Sequence, residues 1–460
     1  MTQTISLPIW LFVLIMAFAA ITFASHFLLP SVRWFFRKRL ERAVKRLNER
    51  LERPIQPFKL ARRTDMIQRL IYDPDVTRAI VEHARTNGVR EDVAFELARR
   101  YAREIVPSFS AFAYFGFAIR AARMLSNALY RVRMGYHAED ALAAIDPDAT
   151  VVFVMNHRSN MDYVLVTYLA ADRSALSYAV GEWAHIWPLS RLIRAMGAYF
   201  IRRRSRNALY RRVLARYVAQ ATQAGVTQAM FPEGGLSLDG ALAEPKLGLL
   251  KYIVDAGVEE RDVVFVPVAL NYDRVLEDTI LINAGEAGGR RFDARISVVA
   301  GFALKTLWLR ITGRFHRFGY AAVSFGAPLS LRVFLARDMD DATHELGHEI
   351  MARIGAVVPV LPVPLAALAL EQGPGTAAEI ETRMGVLADS MPGAYVHIAR
   401  NSMAYSAKAG LRALASRHIV TETEGVFAAN PDKASRLRYY ANSVRHLVPG
   451  APENAADARL

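Results

Sequence analysis

From about residue 136 to 335, short apolar runs rich in β-branched and aromatic residues alternate with stretches of helical pattern. The runs are TVVFVMNH, AMGAYFIRR, TQAMFPEGG, DVVFVPVALNY, ARISVVAGFAL and AAVSFGAPL. Strand-length segments separated by helices predict an α/β fold, a mixed sheet with helices packed on its faces. In such a sheet, chemistry is expected where loops gather beyond the carboxyl ends of the strands.

The flanks read differently. Residues 31–135 form a basic helical region, with mixed charge around apolar positions in EDVAFELARRYAREIV, and residues 336–460 are again mainly helical. The apolar run Gly355–Leu370 carries prolines at 359, 362 and 364, which favours a buried connection ending in a short helix over a membrane span. Residues 1–30 contain PIWLFVLIMAFAAITFASHFLL, with no charged side chain from Ser6 to Pro30. A run of that length predicts an N-terminal transmembrane helix, with a cleaved signal peptide as its competitor. Arg33, Arg37, Lys38, Arg39, Arg42, Lys45 and Arg46 follow at once, so the positive-inside bias predicts a single-pass anchor in the cell membrane with the catalytic domain, residues 136–335, on the cytoplasmic face. The same cluster would touch anionic membrane lipids.

Composition narrows the chemistry. The 460 residues are 53% hydrophobic and 22% charged, which excludes global disorder, and the formal charge of +14 attracts anionic partners. With no cysteine there is neither a disulfide nor a thiolate nucleophile. No GxSxG elbow, GxxxxGK phosphate loop or zinc-type ligand spacing is read, so no metal and no resident cofactor are expected.

One run carries a catalytic signature. In VVFVMNHRSNMDYVLV an apolar strand delivers His157 and Asp162 to a helix entrance. A neutral imidazole removing a hydroxyl proton, with a carboxylate fixing its tautomer, is general-base chemistry and needs no serine or cysteine nucleophile. Taken alone, the pair also reads as a polar turn and a first-turn helix charge. Three further blocks follow in order: GAYFIRRRSRN at 197–207, FPEGGLSLDG at 231–240 and VVFVPVALNYDRV at 263–275.

The four blocks together resemble the glycerolipid acyltransferase family. KLGLLKYI, VSFGAPLSL and LRYYANSVRHL resemble its glycerol-3-phosphate acyltransferase branch in particular. The resemblance implies a membrane-anchored O-acyltransferase that moves a fatty acyl group from acyl-CoA or acyl-carrier protein to sn-glycerol 3-phosphate in phospholipid biosynthesis. His157 would be the base and Asp162 its orienter. Arg202 would bind phosphate, and Glu233, Gly234 and Gly235 would line the acceptor. The thioester is a co-substrate, the glycerol phosphate is the acceptor, and nucleic acid is not an expected partner.

The branch usually continues its Glu-Gly-Gly element with two arginines, where this chain has Leu236 and Leu238. Lys246, Arg274 and Arg158 are the candidates to replace those cations. The same gap keeps 1-acylglycerol 3-phosphate and dihydroxyacetone phosphate open as acceptors. A non-catalytic membrane-surface binding protein is the reading of another class. Trp183, His185 and Trp187 suggest an acyl-facing surface or ordinary packing.

Overall fold

The computed structural model describes residues 8–170, 174–181, 189–202, 205, 207–257, 259–288, 317–337 and 339–450, without the side chains of 20–37, 40 and 189. The run ARISVVAGFAL, the Trp183, His185 and Trp187 group, and Arg203 and Arg204 lie outside the described residues. The chain divides into two compact units, Met1–Pro54 and Ile55–Leu460.

In the first unit, helix α1 spans Ile9–Asn48 and ends with Lys45 and Arg46 in its last turn, where cations complement the helix dipole. The expected transmembrane helix is corrected here: among the described residues no helix is long and apolar enough to cross a membrane. The single-pass localisation drawn from that segment is withdrawn with it.

The second unit is built on an eight-stranded sheet: β1 Arg131–His137, β2 Thr150–Met155, β3 Ser177–Val180, β4 Tyr199–Phe200, β5 Gln228–Met230, β6 Val263–Tyr272, β7 Tyr320–Phe325 and β8 Leu329–Ser330. The order is β1-β7-β6-β2-β5-β3-β4, with β8 also paired to β6. Strands β2 to β6 pair in parallel, whereas β7 and β8 lie antiparallel to β6. This is the mixed α/β sheet expected from the alternating runs.

Among its helices are α2 Arg63–Ile71, α3 Pro74–Asn87, α4 Glu91–Ile105, α5 Ile119–Leu129, α6 Met161–Leu169, α7 Ala208–Gln223, α8 Asp278–Glu286, α9 Ala342–Ala356, α10 Pro362–Glu371, α11 Met403–Ala415 and α12 Ala434–Arg445. Side chains alternate across a strand. Val151, Phe153 and Met155 of β2 therefore pack with α5, α6, α8, α10, α11 and α12, while Val152 and Val154 pack with α2, α3, α4, α7 and α9. Every residue of β2 is buried, and each large apolar side chain so removed from water contributes about 1.5–3 kcal/mol. Helix α10 is the short buried helix expected after the proline-rich run, with Pro362 to Leu370 all buried.

Pro267 sits inside β6, where a missing N–H would normally break a ladder. Its carbonyl accepts from Gly326 N at 2.8 Å, so its nitrogen faces the same edge. On that edge β8 ends its pairing at Phe265 and β7 begins at Val268, leaving Pro267 in the gap between them.

Candidate active site

Because β2, β4, β5 and β6 run the same way, the loops at 156–160, 201–207, 231–246 and 273–277 leave one edge of the sheet. The four sequence blocks therefore converge on that edge, but the strand order spaces them. Three strand intervals separate β2 from β4, about 14 Å at the usual spacing.

Strand β2 ends in a polar turn and α6 begins at Met161, which folds Asp162 back under His157. Nδ1 of His157 lies 2.9 Å from Oδ2 of Asp162, with both side chains buried. A carboxylate only accepts, so Nδ1 carries the proton and Nε2 the lone pair. The same Oδ2 accepts the backbone N–H groups of Arg158 at 2.7 Å and Ser159 at 3.0 Å, and Oδ1 accepts the Tyr272 hydroxyl at 2.6 Å. Four donors thus hold one carboxylate and fix the plane of the imidazole. The ring itself stacks on Phe231, centroids 3.9 Å apart, with Tyr163 edge-on at 5.5 Å.

The FPEGGLSLDG loop clamps the His157 backbone on both sides. Oε1 of Glu233 accepts His157 N at 2.8 Å, and His157 O accepts Ser237 N at 2.9 Å. Oε2 of Glu233 accepts Ala243 N at 3.3 Å. Burial pushes the Glu233 carboxyl up to about 8, against the two backbone donors and the nearby Arg158 charge. Gly234 turns with φ +66°, and a Cβ there would come within 2.8 Å of the Lys246 stem. Lys246 is exposed, and its backbone N donates to Pro232 O at 2.7 Å. Gly235, Leu236 and Leu238 line a cavity of about 480 Å³ together with Glu233, Ile282 and, from α12, Arg438 and Asn442.

Arg158 is buried. Its Nη1 donates to Gly240 O, its guanidinium lies 5.2 Å from the Tyr439 ring centroid, and Nε and Nη2 have no hydrogen-bond partner. Gly240 in turn presses on α12, since a Cβ there would fall 1.8 Å from Tyr439 O.

Two of the expected cations stand elsewhere. Arg202 makes a bidentate ion pair with Glu104 of α4, at 2.8 and 2.6 Å, and stacks near the rings of Tyr101 and Tyr210. That pair holds its guanidinium pKa above the usual arginine value. Arg274 lies over the Phe318 ring at 4.4 Å, and its own carbonyl accepts the Tyr130 hydroxyl. It sits behind Asp162, across Tyr130 and Tyr272, and burial lowers its pKa, with Arg417 adding to the effect.

Sequence reasoning passed over Tyr272, Asn156 and Glu277. Asn156 exchanges two hydrogen bonds with the Leu270 backbone, tying the end of β2 to β6. Glu277 accepts from Ser159 Oγ at 2.7 Å and from both nitrogens of Asn160. The available signal was position: Tyr272 is a polar-tipped residue closing a fully buried strand, and a buried hydroxyl needs a partner. Among the described residues no group of three or more His, Cys, Asp or Glu side chains is set to hold a metal. The reading of no zinc-type spacing is nonetheless corrected, because His344-Glu345-Leu346-Gly347-His348 has the H-E-x-x-H pattern.

An acyltransferase family model matches residues 134–271, and a model of the glycerol-3-phosphate acyltransferase C-terminal region matches residues 308–449. The first match contains the His157 and Asp162 pair and the Glu233 clamp. The chain belongs to the glycerolipid acyltransferase family. Within that family, its relatives carry the name of the glycerol-3-phosphate branch. It is 26% identical to the glycerol-3-phosphate acyltransferase of Alteromonas mediterranea, over 85% of this chain and 50% of that one. It is 28% identical to that of Xanthomonas campestris, over 89% and 48%, and 31% identical to that of Shewanella amazonensis, over 66% and 37%. The chain thus spans about half or less of the length of these relatives. The solved 1-acyl-sn-glycerophosphate acyltransferase of Thermotoga maritima is 19% identical over 52% of this chain and 76% of that one, with a TM-score of 0.32, too loose a likeness to carry an argument.

Proposed function

We propose that the protein is an O-acyltransferase that moves a fatty acyl group from a CoA or carrier-protein thioester to sn-glycerol 3-phosphate, with His157 as general base. The observation that carries the reading is the buried His157–Asp162 pair, whose carboxylate is held by three further donors. Nε2 of His157 takes the proton of the acceptor hydroxyl as its oxygen attacks the thioester carbonyl carbon. Asp162 stabilises the imidazolium, and the departing thiolate recovers the proton. Glu233 acts on the backbone, holding the base in register, and no covalent acyl-enzyme is required.

Phosphate recognition falls to Arg202, once released from Glu104, with Lys246 as the exposed cation beside Gly234 and with Arg158 and Arg274 behind. A second acceptor reading, 1-acylglycerol 3-phosphate, is favoured by the cavity in which Leu236, Leu238 and Ile282 face the polar side chains of α12. An apolar wall with a polar rim suits an acceptor that already carries an acyl chain. Purified protein supplied with labelled acyl-CoA or acyl-carrier protein, and separately with glycerol 3-phosphate, 1-acylglycerol 3-phosphate or dihydroxyacetone phosphate, tests both readings. Labelled 1-acylglycerol 3-phosphate as the principal product supports the first reading; labelled diacyl product alone supports the second, and no product from any pair overturns both.

A further inference from the structure

Helix α9 carries His344 and His348 one turn apart on a solvent-exposed face, away from the residues given roles above. Their Nε2 atoms approach to 3.2 Å, with ring centroids 4.4 Å apart. Two nitrogens bound to one tetrahedral zinc ion at 2.0–2.1 Å lie about 3.3–3.4 Å apart, so the spacing is already that of neighbouring ligands on one ion. The opposite ring nitrogens both face carboxylates. Nδ1 of His344 is 4.0 Å from Oε1 of Glu345, and Nδ1 of His348 is 3.8 Å from Oε2 of Glu244. These are ion-pair distances, with a carboxylate on the side of each ring where metal-binding histidines commonly keep a second contact. The two Nε2 atoms lie within hydrogen-bond distance, so without a metal one ring donates to the other, and a cation bound by both would take the place of that shared proton.

We infer that the Nε2 atoms of His344 and His348 form a binding site for a divalent transition metal of the zinc or nickel kind, completed by water, with Glu244 of the neighbouring loop as the outer carboxylate beside His348 Nδ1. The Glu244 side chain is 80% exposed. Its loop is anchored on both sides: Ala243 N donates to Glu233, and Lys246 N donates to Pro232 O. Gly347, between the two histidines, allows the contact, since a Cβ there would lie 2.8 Å from Leu247 and 3.2 Å from Pro245. A metal on Nε2 would strengthen the pull of His348 Nδ1–H on Glu244 and so brace the segment that Glu233 holds against the His157 backbone. The binding site itself does not depend on the acyltransferase reading.

The test uses the full chain without a histidine tag, stripped with chelator, desalted and titrated calorimetrically with zinc or nickel. With half the protein donors of a structural zinc site, one ion should bind with a Kd on the order of 10⁻⁴ to 10⁻⁶ M. His344→Ala and His348→Ala, both on the exposed face, should each weaken binding at least about tenfold, and Glu244→Gln by a smaller factor. Circular dichroism of each variant checks that the fold is kept. Absence of saturable binding in that range, or unchanged binding in the folded double variant H344A/H348A, overturns the site.

Discussion

At the scale of single residues the reading turns on one carboxylate. Asp162 accepts from His157, Arg158 N, Ser159 N and Tyr272, so the variants around it should fall in a graded order. His157→Ala should abolish transfer, and Asp162→Asn should leave a residual rate lowered by about 10² to 10⁴, the usual span of a general-base contribution. Tyr272→Phe should do less, since it removes one donor of about 1–2 kcal/mol and leaves the imidazole paired. Steady-state kinetics on folded variants checks the order. Near-normal turnover of His157→Ala would dismiss the base. His157 and Asp162 were legible in the sequence because they stand only five positions and one turn apart. Tyr272 was not, because its partner lies 110 positions away.

At the scale of elements, two contacts decide how the loops are held. The first joins α4 to the end of β4 through the Glu104–Arg202 pair. If acceptor phosphate recruits Arg202, it competes with Glu104. Arg202→Ala should then raise the acceptor KM strongly with little change for the acyl donor, whereas Glu104→Gln should lower the acceptor KM by freeing the guanidinium. Equal acceptor KM values in both variants and the parent would remove Arg202 from the phosphate site. The second contact joins the FPEGGLSLDG loop to α12 at Gly240, whose φ of +90° and 1.8 Å clearance exclude a side chain. Gly240→Ala should cost more than about 2 kcal/mol, read as a fall in denaturation midpoint, because both the backbone strain and the clash with Tyr439 O must be relieved.

At the scale of the whole molecule, three buried ionisable groups shape stability against pH. Burial pushes Glu233 up to about 8 and Asp273 up to about 7. Their contribution is complete below the ordinary carboxyl values of 4.5 and 3.8 and is lost as pH rises through the folded values. Lys59 runs the other way. It donates to Ala175 O at 2.6 Å and lies against the Phe109 ring, and burial lowers it from 10.5 to about 7. Its penalty is full below about 7 and fades as pH rises toward 10.5. The three together place a stability minimum between about pH 7 and 8. Melting temperatures across pH 4 to 10 should show Glu233→Gln flattening the acid-side decline. Lys59→Met should stabilise most at and below about pH 7, by at most about 5 kcal/mol, and progressively less toward pH 10. A Lys59→Met gain that does not vary with pH would mean the amine is solvated.

What the sequence by itself determined was local in origin. Alternating apolar runs specified an α/β sheet because a strand and a helix each declare their period within a few residues. The NHRSNMD spacing specified the base and its orienter because a single turn closes it. The N-terminal run shows where that logic fails: hydropathy marks an apolar segment, yet no described helix meets the length and apolarity of a span. Tertiary structure alone decided the rest. It placed Glu233 on the His157 backbone and Arg202 on Glu104, and it brought Tyr272 to Asp162 through partners 76 to 110 residues apart. Such pairings are set by strand order and by how each helix lies on the sheet, and neither quantity is encoded in the spacing of residues along one element.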